Sequence, residues 1–366
     1  MKKLIAISFF SGAGGLDIGI HKAGFDIKLC VEIEEKYCMT LKENHPNWNV
    51  KNGDIMEYNK EKVYIEAGLN KSEEIDLIFG GSPCQSFSTA GKRQAFDDIR
   101  GKAMLKYADI VEEIKPKAFI LENVRGLLSA ALKHRKLKER GENFPPLTDE
   151  ELPGSALKYL LSKFKSYNIE VKLINAANYG VPQKRERVFI VGIRKDLNKK
   201  FKFPDPTHNK NGDNGKHKWV TVEKVFKELE GKVEKHNYLT YSPKRLKYMK
   251  MIPKGGGNWR DLPENMIKEA MGGAYNSGGG KVGFFRRIKI DEPAPTLLTS
   301  PMQKSTNLGH PYEDRPLSIQ EYLAIQGFPL EYKVAGTLND QYTQIGNAVP
   351  VQLAYIIGNA IYNLLK

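Results

Sequence analysis

Residues 75–88 read IDLIFGGSPCQSFS. The apolar run Ile75–Phe79 has the length of a buried strand. Two glycines and a proline then stop it and present Cys84 at its carboxyl end. In an open α/β sheet, ligands bind outside that edge of the strands. A free cysteine has a pKa of about 8.5 and is mostly protonated at neutral pH, so Cys84 becomes a useful nucleophile only beside positive groups or a helix start. A lone cysteine next to a turn is more often a small buried thiol. The stretches on either side therefore decide its meaning.

Strand and helix signals alternate around it. Upstream, KLIAISFF (3–10) reads as a strand, SGAGGLDIGIHKAG (11–24) as a turn into a helix, and FDIKLCVEI (25–33) as a strand ending at Glu32. EKYCMTLKENHP (35–46) is a helix closed by Pro46, and NVKNGDI (49–55) is a short strand ending near Asp54. Downstream, MLKYADIVEEIKP (104–116) is an amphipathic helix and KAFILENV (117–124) a strand. This order with short connections predicts an α/β fold built on a doubly wound, mostly parallel sheet. Residues 129–153, charged and proline-containing, read as a partly helical surface excursion. SALKYLLSKFKSY (155–167) resumes as a helix, and VKLINAANYG (171–180) with ERVFIVGIR (186–194) suits an antiparallel edge.

Charge separates a second region. The chain carries a formal +14, and residues 199–304 hold 22 Lys+Arg against 11 Asp+Glu, which leaves the remainder nearly neutral. A basic segment set apart in this way points to a polyanionic partner, nucleic acid first. The segment has glycine clusters at 255–257, 272–273 and 278–280, with FFRRIKI (284–290) as its best strand. Expected domains are 1–198 (catalytic and cofactor-binding), 199–315 (a smaller, mainly β and loop, recognition domain) and 316–366 (returning to the first). No apolar run reaches the roughly 18 residues of a membrane span, and MKKLIAISFF is too short for a signal peptide. Cys30, Cys38 and Cys84 are odd in number and lack CxxC spacing, so neither a disulfide framework nor a metal site is expected, and the chain reads as cytoplasmic.

Three groups could carry chemistry. Phe10-Ser11-Gly12-Ala13-Gly14-Gly15 follows the first strand and opens a helix, where backbone can approach a ligand. A dinucleotide pattern would need glycine at position 17, and Asp17 stands there. With Glu32 and Asp54 ending the next strands, this suggests a nucleoside cofactor without a required pyrophosphate. Glu122 ends the strand KAFILENV, where it could act as a general acid. Gln183-Lys184-Arg185-Glu186-Arg187 enters a strand whose alternation would put both arginines on one face, suited to a phosphate or a carbonyl oxygen.

With these motifs in order, the chain resembles the DNA (cytosine-5) methyltransferases of bacterial restriction-modification type. FSGAGG looks like their S-adenosylmethionine loop, GGSPCQSFS their Pro-Cys loop, ENV their glutamate motif and QKRERVF their Gln-Arg-Arg strand. RPLSIQEYLAIQGFP and QIGNAVP resemble the last two motifs, although Gln320 and Ala324 stand where the family often has arginines. The resemblance implies methyl transfer from S-adenosylmethionine, leaving S-adenosylhomocysteine, to carbon 5 of a flipped cytosine, without a metal. It implies Cys84, Glu122, Arg187, Arg185 and Gln183 as catalytic residues. Phe10, Gly12, Ala13, Gly14, Gly15, Glu32, Asp54, Ile55, Pro83 and Asn347 would form the cofactor site. Ser88, Lys92, Arg93 and Arg100, on a loop from Gln85 to about Gly101 that closes over the base, would touch DNA. So would Arg286, Arg287 and Thr296, the arginines as guanine readers. Implied partners are double-stranded DNA and a cognate restriction endonuclease, with no membrane, and a single copy suffices. Alternatives are a transfer-RNA methyltransferase of the same fold and an inactive DNA-binding regulator.

Overall fold

The computed structural model describes residues 3–83, 96, 98–276, 283–303 and 306–366, so Cys84, Ser88, Lys92 and Arg93 lie outside the described residues, as do Gly278–Gly280. The backbone of Arg100 is described and helical.

The chain packs as two compact units, one of residues 1–174, 186–205 and 354–366, the other of 175–185 and 206–353. In the first, strands β1 (Ile5–Phe9), β2 (Asp26–Glu32), β3 (Val50–Asn52), β4 (Leu77–Gly81), β5 (Ala118–Val124), β6 (Tyr167–Asn175) and, past the two-residue β7 (Gln183–Lys184), β8 (Glu186–Arg194) supply one sheet. Its order is β3-β2-β1-β4-β5-β8-β6. The first five strands pair in parallel and β8 runs antiparallel to β5. Ile-Ala-Ile-Ser-Phe of β1 is buried throughout, as expected of a central parallel strand covered on both faces.

Helices α1 (Gly15–Lys22), α2 (Glu35–Asn44), α3 (Lys60–Glu66), α4 (Ile99–Ile114) and α5 (Ser155–Leu161) connect the strands. Tyr107 of α4 reaches through the core, its hydroxyl donating to the Ile78 and Ile120 carbonyls of adjacent strands. Residues 129–153 contain only short 3-10 turns, pinned by Arg135, which donates to both carboxylate oxygens of Glu151 and to the Pro145 and Pro146 carbonyls.

The second unit holds α6 (Val222–Leu229), α7 (Pro243–Met251), α8 (Glu264–Met271), α9 (Ile319–Gln326) and α10 (Leu338–Asn347), and the start of α11 (Val351–Leu365). Its described strands are two residues long, so helices and loops stand where a mainly β region was expected. FFRRIKI forms no strand: Phe285 has φ +42, which breaks an extended run, and only one isolated bridge, Arg287 to Gly309, remains. Packing also cuts the chain elsewhere than at 198 and 315, because 175–185 and 316–353 pack with the basic segment.

From Ala354 onward, α11 belongs to the sheet unit and covers α1. A Cβ at Gly19 would lie 2.4 Å from the Ala354 Cβ, so the helices meet backbone to backbone. The stretch Leu338–Leu365 is long and apolar enough, by composition, to cross a membrane, contrary to the sequence expectation. Half of its most apolar window is buried within the protein, as in a core-packed helix, and Pro350 interrupts it.

Candidate active site

Strand order reverses between β1 and β4, so the crevice outside their carboxyl ends is the place where such a sheet binds ligands. The β1 end turns sharply there, with Phe10 at φ +57, Gly12 at +56 and Gly14 at +83. Phe10 is a non-glycine residue held left-handed, and its two glycine neighbours take that conformation without a Cβ clash. Beside Gly12, a Cβ would meet nothing nearer than the Phe10 carbonyl at 4.0 Å, so the loop backbone is open to a ligand. Ala13 is buried behind it, and Gly15 starts α1.

Glu32 ends β2 against this loop, its oxygens accepting from Gly12 N at 2.7 Å and Glu34 N at 3.0 Å. Burial pushes its carboxyl pKa up. Asp54 follows β3 and caps the 3-10 turn Ile55–Glu57 by accepting from Met56 N at 2.9 Å; Ile55 is buried. An open glycine turn flanked by two strand-end carboxylates fits a nucleoside, whose ribose hydroxyls are donors. Asp17 lies wholly buried under the turn, its pKa raised to about 6 by desolvation and opposed by hydrogen bonds from Ser8, Ser11 and Cys30. The residue that broke the dinucleotide pattern is thus an internal acid beneath the loop.

Next door, β4 ends in Gly80, where a Cβ would strike the Phe9 carbonyl at 2.5 Å, and Gly81, where it would sit 3.0 Å from Glu122 Oε2. Gly80 has no room for a side chain against the β1 backbone, and at Gly81 a side chain would have to displace the Glu122 carboxylate. Glu122 pairs across the sheet with Phe189, and Val124 with Arg187. That antiparallel register puts Glu122 and Arg187 diagonally on one face. Arg187 Nε lies 2.9 Å from Glu122 Oε1, with both side chains largely buried. Asn123, not singled out as a site residue from sequence, donates to the Ser82 hydroxyl at 2.9 Å and carbonyl at 3.3 Å. It therefore ties Ser82 and the half-buried Pro83, immediately before Cys84, to the end of β5.

Arg185 does not join Arg187. The strand is interrupted at Arg185, between β7 and β8, so alternation does not carry across it. Fully buried in the second unit, it donates to the carbonyls of Leu297 (3.0 Å), Gly346 (2.8 Å) and Asn347 (3.3 Å). Gln183, also fully buried, donates to Gln326 Oε1 and accepts from Leu297 N. Neither side chain is presented to a substrate, so both brace the loops rather than react. The Thr296 hydroxyl is likewise taken up, donating to the Lys184 carbonyl at 2.8 Å.

Arg287 corrects the guanine-reader expectation outright. Its side chain is fully buried and donates to the carbonyls of Met249, Ile252, His310 and Glu313 and to Asp314, leaving no edge for a base. Arg286, half-buried, remains the candidate of the two. Gln320, at one of the positions that departs from the expected motif, accepts from Asn237 N at 2.9 Å.

An open glycine turn at the switch point of a mostly parallel sheet, beside a buried carboxylate–guanidinium pair, is the frame of an α/β enzyme, and the comparisons give its class: a methyltransferase. The family model of C-5 cytosine-specific DNA methylases matches residues 4–363, and the chain belongs to that family. It is 42% identical over 362 residues to the Type II methyltransferase M.Sau96I of Staphylococcus aureus, covering 98% of this chain and 75% of that protein. It is 36% identical over 362 residues to M.Eco47II of Escherichia coli, covering 98% and 79%. Among solved structures, Entamoeba histolytica EhMeth superposes with a TM-score of 0.61 at 15% identity over the full length of both chains. The S. pombe Dnmt2 methyltransferase does so with 0.55 at 16%, covering 100% of this chain and 98% of that one. These two share the fold. The enzyme is a sequence-specific DNA cytosine-5 methyltransferase of the restriction-modification type.

Proposed function

We propose that Cys84 adds to carbon 6 of a flipped target cytosine, with Glu122 and Arg187 holding the ring. The observation that carries this reading is the Glu122–Arg187 pair, set against Gly81 three residues before the cysteine. Carbon 5 of cytosine is too weak a nucleophile to accept a methyl unaided. Addition of the Cys84 thiolate to carbon 6 breaks the aromaticity and makes carbon 5 enamine-like. Glu122 holds or protonates ring nitrogen 3 so that negative charge does not build there, and Arg187 supports the ring oxygen. Loss of the carbon 5 proton then expels Cys84 and restores the ring.

S-adenosylmethionine, when bound, supplies an electrophilic methyl carried on a sulfonium and is left as S-adenosylhomocysteine. Phe10, Gly12, Ala13, Gly14 and Gly15 would seat it, Glu32 would take the ribose hydroxyls, and Asp54, Ile55, Pro83 and Asn347 complete the set. A base inside a duplex is out of reach of this chemistry, so the target cytosine must be extruded. The basic segment would neutralise phosphates, while Arg286 and neighbouring loops read bases. A cognate endonuclease is the expected companion in the cell, the enzyme acts in the cytoplasm on genomic DNA, and one copy suffices for one strand at a time.

The test is expression in a host lacking 5-methylcytosine, followed by sequencing for that base, with Cys84→Ala alongside. Methylcytosine at one recurring short sequence, absent with the alanine variant, is expected. Methylation that survives the substitution would remove Cys84 from the mechanism.

A further inference from the structure

The last four carbonyls of an α-helix have no partner within it. At the end of α10 the Ala348 N–H reaches back to the Gln344 and Ile345 carbonyls, each at 3.2 Å, and two buried side chains donate to the carbonyls of 345–348. Gln326 Nε2 donates to the Ile345 carbonyl at 2.6 Å and the Ala348 carbonyl at 3.1 Å. Arg185 takes the two carbonyls between, those of Gly346 and Asn347. The same pair grips a second loop. Gln326 Oε1 accepts from Gln183, whose own oxygen accepts from Leu297 N, and Arg185 donates to the Leu297 carbonyl. Gln183, Arg185 and Gln326 are all fully buried. The two loops touch, since a Cβ at Gly346 would lie 2.3 Å from the Leu298 carbonyl.

We propose that Gln326 is a positioning residue for methyl transfer. It fixes the turn that carries Asn347 and, through Gln183, registers that turn against Thr296–Leu297. A primary amide is the one uncharged side chain that offers two donors and an acceptor at a single tip, which is what this junction uses. A glutamate would lose both donors, and an apolar residue would take this donor from the Ala348 carbonyl and leave the Ile345 carbonyl only the Ala348 N–H. The proposal rests on the functional reading above, in which Asn347 belongs to the cofactor set.

Gln326→Met and Gln183→Met separate the two loops. Binding of S-adenosylmethionine is measured by calorimetry without DNA, with steady-state constants and melting temperature alongside. Gln326→Met is expected to raise the cofactor Kd, and the KM with it, about tenfold, while kcat stays within about threefold, because the reacting residues are untouched. Gln183→Met should leave the cofactor Kd within about twofold and raise the KM for DNA instead. Wild-type cofactor affinity in a folded Gln326→Met protein, even one that melts earlier, overturns the proposal. So does an equal loss of cofactor affinity in Gln183→Met. Should Gln326→Met fail to fold, Gln326→Asn, whose shorter stem cannot reach both loops, is read in the same assay, and wild-type affinity again overturns it. A wild-type protein that binds the cofactor yet methylates no DNA sinks the functional reading and leaves the calorimetric comparison standing. One that binds no cofactor sinks both.

Discussion

The sheet unit and the second unit satisfy their buried backbone in different ways. In the first, long strands pair with each other and the interior is apolar, from Ile5 and Phe9 to Phe119 and Ile190. In the second, described strands are two residues long, and buried arginines do the pairing. Arg185 closes on three carbonyls, Arg287 on four and a carboxylate, and Arg315 on Glu313, Glu321 and the Pro316 carbonyl. Irregular chain leaves carbonyls that no ladder reaches, and a guanidinium with five donors can collect them. High positive charge therefore has two uses in this molecule. Some of it is surface for a polyanion, and some is internal scaffold.

That division can be broken by substitutions on each side of it. Glu122→Gln, in the sheet unit, should cut kcat by about 10²–10⁴-fold while the melting curve stays put. Methyl transfer to duplex DNA and a thermal melt read the two quantities separately, and a matching loss of stability would make Glu122 scaffold. Arg287→Leu should do the reverse. Removing it strands four carbonyls beside Asp314, and about 3–5 kcal/mol of unfolding free energy is expected to go, measurable by urea titration. A variant as stable as wild type with altered site choice would return Arg287 to base reading.

A smaller effect belongs to Asp17. Burial raises its folded pKa from the ordinary carboxylate range to about 6, so the folded state holds this proton more tightly than the unfolded state. Stability then falls as pH rises from about 4 to about 6, by roughly 2–3 kcal/mol, and the penalty is full above that range. Asp17→Asn should flatten that slope and be the more stable protein at pH 7. An unchanged pH profile would show that Asp17 titrates normally. Smallest is Lys184→Ala. Its pair with Glu292 is half in solvent, so about 0–1 kcal/mol is expected, with no change in methylation.

The first unit was legible because its signals are local. Apolar runs of strand length, glycines at turns and carboxylates near strand ends carry their meaning in a few residues, and β1 to β5 form where expected, with Glu32 closing β2 and Glu122 near the end of β5. The period placed Arg187 on a strand, but its pairing with Glu122 depends on the β5–β8 register, which the sequence does not show. For Arg185, two residues away, the period misled, since the strand break between them appears only when Gln183 and Arg185 find partners more than a hundred residues along the chain. Arg287 misled for the same reason. In sequence it is one of a pair of arginines in a basic, glycine-rich segment, and nothing nearby announces the four carbonyls that enclose it. Gln326 and Asn123 were within motifs already quoted, yet an amide shows its use only when its donors and acceptors are counted.

The packing of α11 on α1 carries a consequence for how the molecule comes into being. Gly19 meets Ala354, Ile20 lies against Gly358, and Phe25 stacks edgewise on Tyr362. Roughly 330 residues separate these partners, a contact of high sequence separation, and loop closure of that kind is slow. Until it forms, the apolar face of the first helix has no cover. During synthesis this face waits for α11, and in that interval it is open to chaperones and to misassembly.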